Sequence, residues 1–279
     1  MKDLLLFRNF SGVDVFRCRA DELDMALSSY FHRLYRLMDG GGRTDARFTM
    51  YGLILVRPEL RYHARLAYAR AALRGWRRMV PSVKRPPLPV QVLYVMARFI
   101  KVELNLSYLA LLFLLAFDGY LRIGEVCSLR VKDVRLVPTG AVLRLVSTKT
   151  GPNQTVKVRS LTMVRLLQRL VSGRKPEESL FGYSKESVGR YFRMVVAVHG
   201  WEACLFTFHS IRHGAATEDL IQGVELQEVL RRGRWAAAKS ARHYIQEGEA
   251  LIFNTKISQP LLDFGKFVQA RVWEIFSSA

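Results

Sequence analysis

Apolar residues recur at helical spacing along most of the chain. From residue 21, Leu23, Met25, Ala26, Tyr30, Leu34 and Leu37 fall on one face, which predicts a helix ending in the glycine-rich loop 39–43. The pattern resumes over 48–56, and Pro58 is placed to open the next helix at its first turn. Residues 1–20 carry no clear period, and VDVFRCRA (13–20) reads as a strand or a loose lead-in. After residue 90 the periodicity predicts helices over 90–101, 107–117, 122–129, 161–172, 185–198, 209–222, 226–232 and 237–246. Between the third and fourth of these lie three short runs of strand character, 131–137, 141–147 and 155–158, separated by turns at 138–140 and 149–152. The last stretch, 251–279, has a helical apolar pattern through Leu261, Leu262, Phe264, Phe267, Val268, Val272 and Ile275.

One composition shift divides this series. Residues 81–89 (PSVKRPPLP) hold Pro81, Pro86, Pro87 and Pro89, which favour extended backbone and push each preceding residue out of the helical region. The expected organisation is a helical domain over 1–82, a proline-rich linker over 83–89 and a larger domain over 90–279 that ends in a helical tail. The fold class is mainly α with a small antiparallel β-sheet, an α+β arrangement.

Half of the 279 residues are hydrophobic, enough for a real core. The most apolar run, 104–117, is too short to span a bilayer and is interrupted by Asn105 and Ser107, so it reads as a buried helix. Residues 1–14 have no small-residue cleavage site and are not read as a signal peptide. Cys18, Cys127 and Cys204 form neither a disulfide framework nor a zinc cluster, as expected of a reducing compartment. The formal net charge of +19 favours a polyanionic partner. Basic residues are spread along the chain instead of gathered in one amphipathic arm, so nucleic acid is favoured over a membrane surface. Arg65, Arg70, Arg74, Arg77 and Arg78, with Lys84 and Arg85 in the linker, form a basic series suited to a DNA backbone; individually each would pass for a solvated helix face.

The stretch 206–246 carries the chemistry. His209 and Arg212 are three residues apart and share a helix face, Trp235 follows a helix end, and Tyr244 comes nine residues after Trp235. Breaking a phosphodiester with side chains alone needs fixed positive donors for the charge gathered on the phosphate oxygens, an acid for the leaving oxygen and a nucleophile. Arg122 and Arg212 could clamp a phosphate from two sides, because a planar guanidinium binds two oxygens at once. Lys149, on a tight turn, could protonate the leaving 5′ oxygen. Tyr244 could attack; its unperturbed pKa of roughly 10 requires help with the proton, for which His209 is a candidate. The Trp235 indole N–H can only donate, which suits a phosphate oxygen. Taken singly, each residue has a plainer reading: RIGEV as an amphipathic helix, Trp235 and Tyr244 as packing residues, His209 and His213 as a zinc pair that lacks a following Glu and a third ligand.

In combination and order, these motifs resemble the tyrosine recombinase, or phage integrase, family. FDGYLRIGEVCSLRVKDV resembles the first family box, with Arg122 at the catalytic arginine and Glu125 at the acidic position. STKTGPNQTVKV places Lys149 at the hairpin lysine, HSIRHG places His209 and Arg212 at two further catalytic positions, GRW puts Trp235 where many members have His, and HYIQ puts Tyr244 at the nucleophile. The resemblance covers roughly residues 87–246; for the preceding helical unit only position and basic character resemble the family's core-binding domain. His213 and Glu125 are expected to support their neighbours. LRRGRW is more basic than the usual apolar-Gly pattern, which suggests a phosphate contact there.

The resemblance implies a tyrosine-recombinase-type catalytic domain and a site-specific recombinase that cuts and rejoins double-stranded DNA through a 3′-phosphotyrosyl intermediate, with no cofactor and no metal. It also implies a homo-tetramer on two DNA sites and an intracellular location with DNA, in nucleoid or nucleus according to host; the tail after Ile252 is expected either to cap its own domain or to dock on a neighbour, as a candidate for exchange between them. Two alternatives stay open: a type IB topoisomerase-like enzyme, and a catalytically inactive DNA-binding protein of the same fold.

Overall fold

The computed structural model describes residues 2–81, 85–148, 151–235 and 257–277, and the chain divides into two compact units, 1–84 and 85–279. In the first unit, Lys2–Ser11 forms α1, Ala20–Leu37 α2, Arg43–Val56 α3 and Ala67–Met79 α4. Residues 13–19 form neither strand nor helix: Asp14 turns the chain locally, its carboxylate accepting the Phe16 N–H at 2.9 Å and its carbonyl the Cys18 N–H at 2.9 Å. Pro58 opens a single 3-10 turn, Pro58–Arg61, instead of an α-helix. The inward face of α2 is Leu23, Leu27, Tyr30 and Phe31, while Met25 and Leu37 point to solvent. Packing against Phe7, Leu53, Leu66 and Trp76 decides that rotation. Asp24, buried on α2, accepts the Tyr68 and Ala69 N–H groups at 2.9 and 2.8 Å and so caps α4 from another helix.

The second unit is built on α5 (Val90–Val102) and α6 (Ser107–Asp118). Leu109 to Ala116 of α6 are all buried, so a helix apolar on every side forms the centre of the core. α7 (Ile123–Ser128) leads to an antiparallel meander of β1 (Val134–Val137), β2 (Gly140–Thr148) and β3 (Gly151–Val158). Val137 pairs with Gly140 and Thr148 with Gly151. The third strand therefore begins before the residues whose β-character was legible, because Pro152 and Gly151 are held by pairing to β2 and not by propensity. Residues 131–133 form a 3-10 turn ahead of β1. Ala141, Leu143 and Leu145 of β2 with Val156 and Val158 of β3 form the inner face, covered by α8 (Leu161–Val171). α9 (Lys185–Val198), α10 (Phe208–Ile221) and α11 (Leu226–Gly233) follow.

The C-terminal helices Gln259–Ala270 and Val272–Ser277 pack on α5 and α8, burying Val268, Val272 and Phe276. The expected helix at 237–246 lies outside the described residues. The architecture is thus mainly helical with one small antiparallel sheet. Among the described residues no helix is long and apolar enough to cross a membrane.

Candidate active site

Arg122, Arg212 and Arg234 come from three separate segments and meet around one carboxylate, that of Glu125, and the Trp235 ring lies against Arg212. Arg122 precedes α7 in extended conformation, and Glu125 one turn later reaches back to it: Arg122 donates from Nη1 to Glu125 Oε1 at 2.6 Å and from its backbone N–H to Oε2 at 2.9 Å. Glu125 is 4% exposed, whereas the Arg122 side chain keeps 20%. The first is therefore a buried anchor and the second a group that can face a ligand.

Arg212 projects from α10 and is fully buried. Its Nη1 donates to the Tyr120 carbonyl at 2.5 Å and its Nη2 to the Gly233 carbonyl. The Gly233 carbonyl ends α11, so the guanidinium sits at the negative end of that helix, while Tyr120 lies two residues beyond α6. Its Cζ lies 4.8 Å from the centre of the Trp235 ring and its Nη1 4.0 Å from Glu125 Oε2. Trp235 is set by the turn that closes α11: the Arg234 N–H donates to the Arg231 carbonyl and the Trp235 N–H to the Leu230 carbonyl, a Schellman arrangement with Arg234 in the left-handed region at φ 55°. His209 is half-buried on α10, its ring 5.0 Å from that of the buried His213.

Lys149 and Tyr244 lie outside the described residues, as does Lys84. The flanks of Lys149 are defined: Thr148 pairs with Gly151, and its Oγ1 donates to the Gly151 carbonyl at 2.6 Å.

Two of the three arginines of LRRGRW, Arg232 and Arg234, are directed inward. Arg232 donates to Asp219 and, at 2.6 Å, to the Asp118 carbonyl, with its Cζ 4.5 Å from the Tyr120 ring centre. Asp219 also accepts from the Tyr120 hydroxyl at 2.6 Å and from Arg159 at 3.0 Å. Arg234 donates from Nη2 to Glu125 Oε2 at 2.6 Å. Arg231 is exposed and pairs with Glu228. Burial pulls the Arg232 and Arg234 guanidiniums below the usual arginine range, and Glu125 acts against that at Arg234. Burial likewise raises the Asp118 carboxyl, while the Arg159 and Ser160 N–H groups it accepts act to lower it. Of these residues the sequence reading singled out only Glu125; Tyr120, Asp219, Arg232 and Arg234 find partners too distant along the chain to be legible.

In the first unit, Arg70, Arg74 and Arg77 of α4 line a cleft of about 470 Å³ with Arg43 and Arg47 of α3. Arg74 meets His63 at 3.3 Å, and Arg70 donates to the Arg61 carbonyl at 3.2 Å. Arg65 and Arg78 are exposed but do not line this cleft, and Arg85 is exposed at the start of the second unit. Arg43 and Arg47 were absent from the sequence-derived set, since spacing along one helix does not reveal a facing helix.

Several solved structures share this fold. An integrase of the transposon Tn1549, in complex with circular intermediate DNA, is 14% identical, with 86% of each chain covered and a TM-score of 0.57. A lambda integrase tetramer bound to a Holliday junction is 16% identical, covering 88% of this chain and 70% of that one, TM-score 0.56. A lambda integrase dimer bound to a COC′ core site is 17% identical, covering 83% and 81%, TM-score 0.54. At these identities the likeness speaks to the fold alone. No curated protein sequence matches the chain. The family model described as the phage integrase family matches residues 91–250, more than half of the chain, and the chain belongs to that family.

Proposed function

We propose that this chain is a site-specific DNA recombinase that cuts and rejoins strands through a 3′-phosphotyrosyl intermediate. The observation that carries the reading is the convergence of Arg122 and Arg212 on Glu125, with the Trp235 ring against Arg212, so that the two guanidiniums are held before any ligand arrives. In this reading the Tyr244 oxygen attacks the scissile phosphorus, the bond from phosphorus to the 5′ oxygen breaks, and Lys149 supplies the proton to that oxygen. His209 takes part in removing the tyrosine proton, and Arg122, Arg212 and Trp235 hold the charge on the phosphate oxygens. The 5′ hydroxyl of a partner strand reverses the step. His213 supports His209 by ring contact. The helical first unit is a DNA-backbone-binding domain: the arginine cleft between α3 and α4 takes phosphates, Arg65 and Arg78 add exposed charge on the same unit, and Lys84 and Arg85 are proposed as further DNA contacts. Proteins of this fold have been seen on DNA as a dimer and as a tetramer, and we extend that to a tetramer on two sites here, inside the cell with its DNA.

Covalent capture tests this. The chain is incubated with nicked duplexes drawn from DNA flanking its gene and with a randomised pool, then run on denaturing gels beside Tyr244→Phe. An adduct lost in the variant supports the reading, and sequencing it gives the site. Salt-sensitive binding with no adduct from any pool overturns catalysis in favour of a binding-only protein. Supercoil relaxation without site preference points to topoisomerase action.

A further inference from the structure

Arg234 occupies a position where backbone and side chain make opposite demands. As the residue that closes the α11 Schellman turn it sits at φ 55°, a conformation in which glycine is at ease and a residue with a β-carbon is strained. Yet the side chain is put to a definite use. Its guanidinium is 7% exposed and reaches Glu125 Oε2 at 2.6 Å and the Tyr120 carbonyl at 3.4 Å. Among the described residues its Nε and Nη1 are buried without an acceptor. A residue kept against both backbone strain and incomplete hydrogen bonding is serving something other than stability.

What it serves is legible in the bonding of Glu125. One carboxylate oxygen takes Arg122 Nη1; the other takes the Arg122 backbone N–H and Arg234 Nη2, with Arg212 Nη1 at 4.0 Å. Three guanidiniums against one carboxylate leave the cluster positive. Without Arg234, Oε2 would be drawn toward Arg212, and the carboxylate would turn away from Arg122, the most exposed of the three arginines. We infer that Arg234 is a positioning residue of this site, holding Glu125 so that Arg122 presents its guanidinium to a phosphate diester. The inference rests on the recombinase reading above. It ties the turn that sets Trp235 to the helix that sets Arg122 through a single carboxylate.

The test uses the full chain and two variants. Arg234→Gly suits the left-handed turn and removes the guanidinium; Arg234→Lys keeps a charge. Single-turnover formation of the Tyr244 adduct is measured on nicked duplex at saturating DNA, beside the affinity for the same duplex. Arg234→Gly is expected to slow adduct formation by about 100-fold while binding duplex as wild type does, and Arg234→Lys to recover part of the rate. An Arg234→Gly rate equal to wild type, or a loss that follows a loss of affinity or of thermal midpoint, overturns the inference. If wild type forms no adduct, the recombinase reading fails, and a second readout decides this one. Inorganic phosphate should raise the thermal midpoint of wild type and of Arg231→Gln, which alters an exposed arginine on the same helix, but not that of Arg234→Gly. No rise in wild type, or an equal rise in Arg234→Gly, overturns it.

Discussion

The Leu88 N–H donates to the Ser210 carbonyl at 2.9 Å, so the end of the proline-rich stretch crosses α10 one turn before Gly214. At Gly214 a β-carbon would collide with the Leu88 backbone. Gly214 therefore allows the chain to lie directly on the helix that carries His209 and Arg212, and the reason is close approach instead of turn geometry. Gly214→Ala is expected to destabilise the second unit by about 1–3 kcal/mol, as overpacking of a tight contact does. Denaturant unfolding checks it: the midpoint should fall without a change of slope.

Asp219 gathers Tyr120, Arg159 and Arg232, and the Arg232 side chain is only 12% exposed. Asp219→Ala leaves a mostly buried guanidinium without its counter-charge and should cost about 3–5 kcal/mol. Asp219→Ala combined with Arg232→Met removes both charges and should recover most of that loss. A double-mutant cycle by thermal unfolding reads the coupling, and single-variant losses that simply add would show the pair to be energetically independent.

These two relationships also show where sequence reading stops. Helices α5, α6, α9 and α10 were legible within a residue or two because their apolar periodicity is strong, and the order of RIGEV, HSIRHG and GRW placed Arg122, Arg212 and Trp235 before any contact was known. Helix α1 was not legible, because ten residues with an LLLF run have too little period to stand apart from a loop. The rotation of α2, with Met25 outside and Phe31 inside, is decided by Phe7 and Leu53 from other helices. The same limit applies to charge. The basic character of LRRGRW suggests a phosphate contact there, but that Arg232 and Arg234 pair with Asp219 and Glu125 is decided by partners reached only after folding.

Burial pushes the Tyr120 phenol up to about 12 from an ordinary value of 10.0, with Arg232 and Arg159 acting to lower it. The sign follows from the folded state preferring the protonated form. That contribution is complete below the unfolded value and is lost as pH rises through the folded one, between about 10 and 12. Its size is on the order of 2–3 kcal/mol. Stability measured by urea unfolding at stepped alkaline pH should fall across this window, and Tyr120→Phe should flatten part of the fall. A slope identical in the variant would remove Tyr120 from the account.

Arg47 and Arg77 face one another across the cleft between α3 and α4, and neither forms an ion pair among the described residues. If that cleft takes DNA phosphates, each arginine that neutralises one also releases condensed counterions. The slope of log K against log salt for duplex binding should then become shallower by about 0.9 for each arginine removed. Arg47→Gln and Arg77→Gln should each weaken binding at 100 mM salt or below, by a similar factor on every duplex sequence, because phosphates carry no base identity. The double variant should lose about twice the slope of either single one. Fluorescence anisotropy across a salt series measures all three. Unchanged slopes would place the phosphate contacts elsewhere on the basic surface, and a loss confined to particular sequences would mean that the arginines read bases.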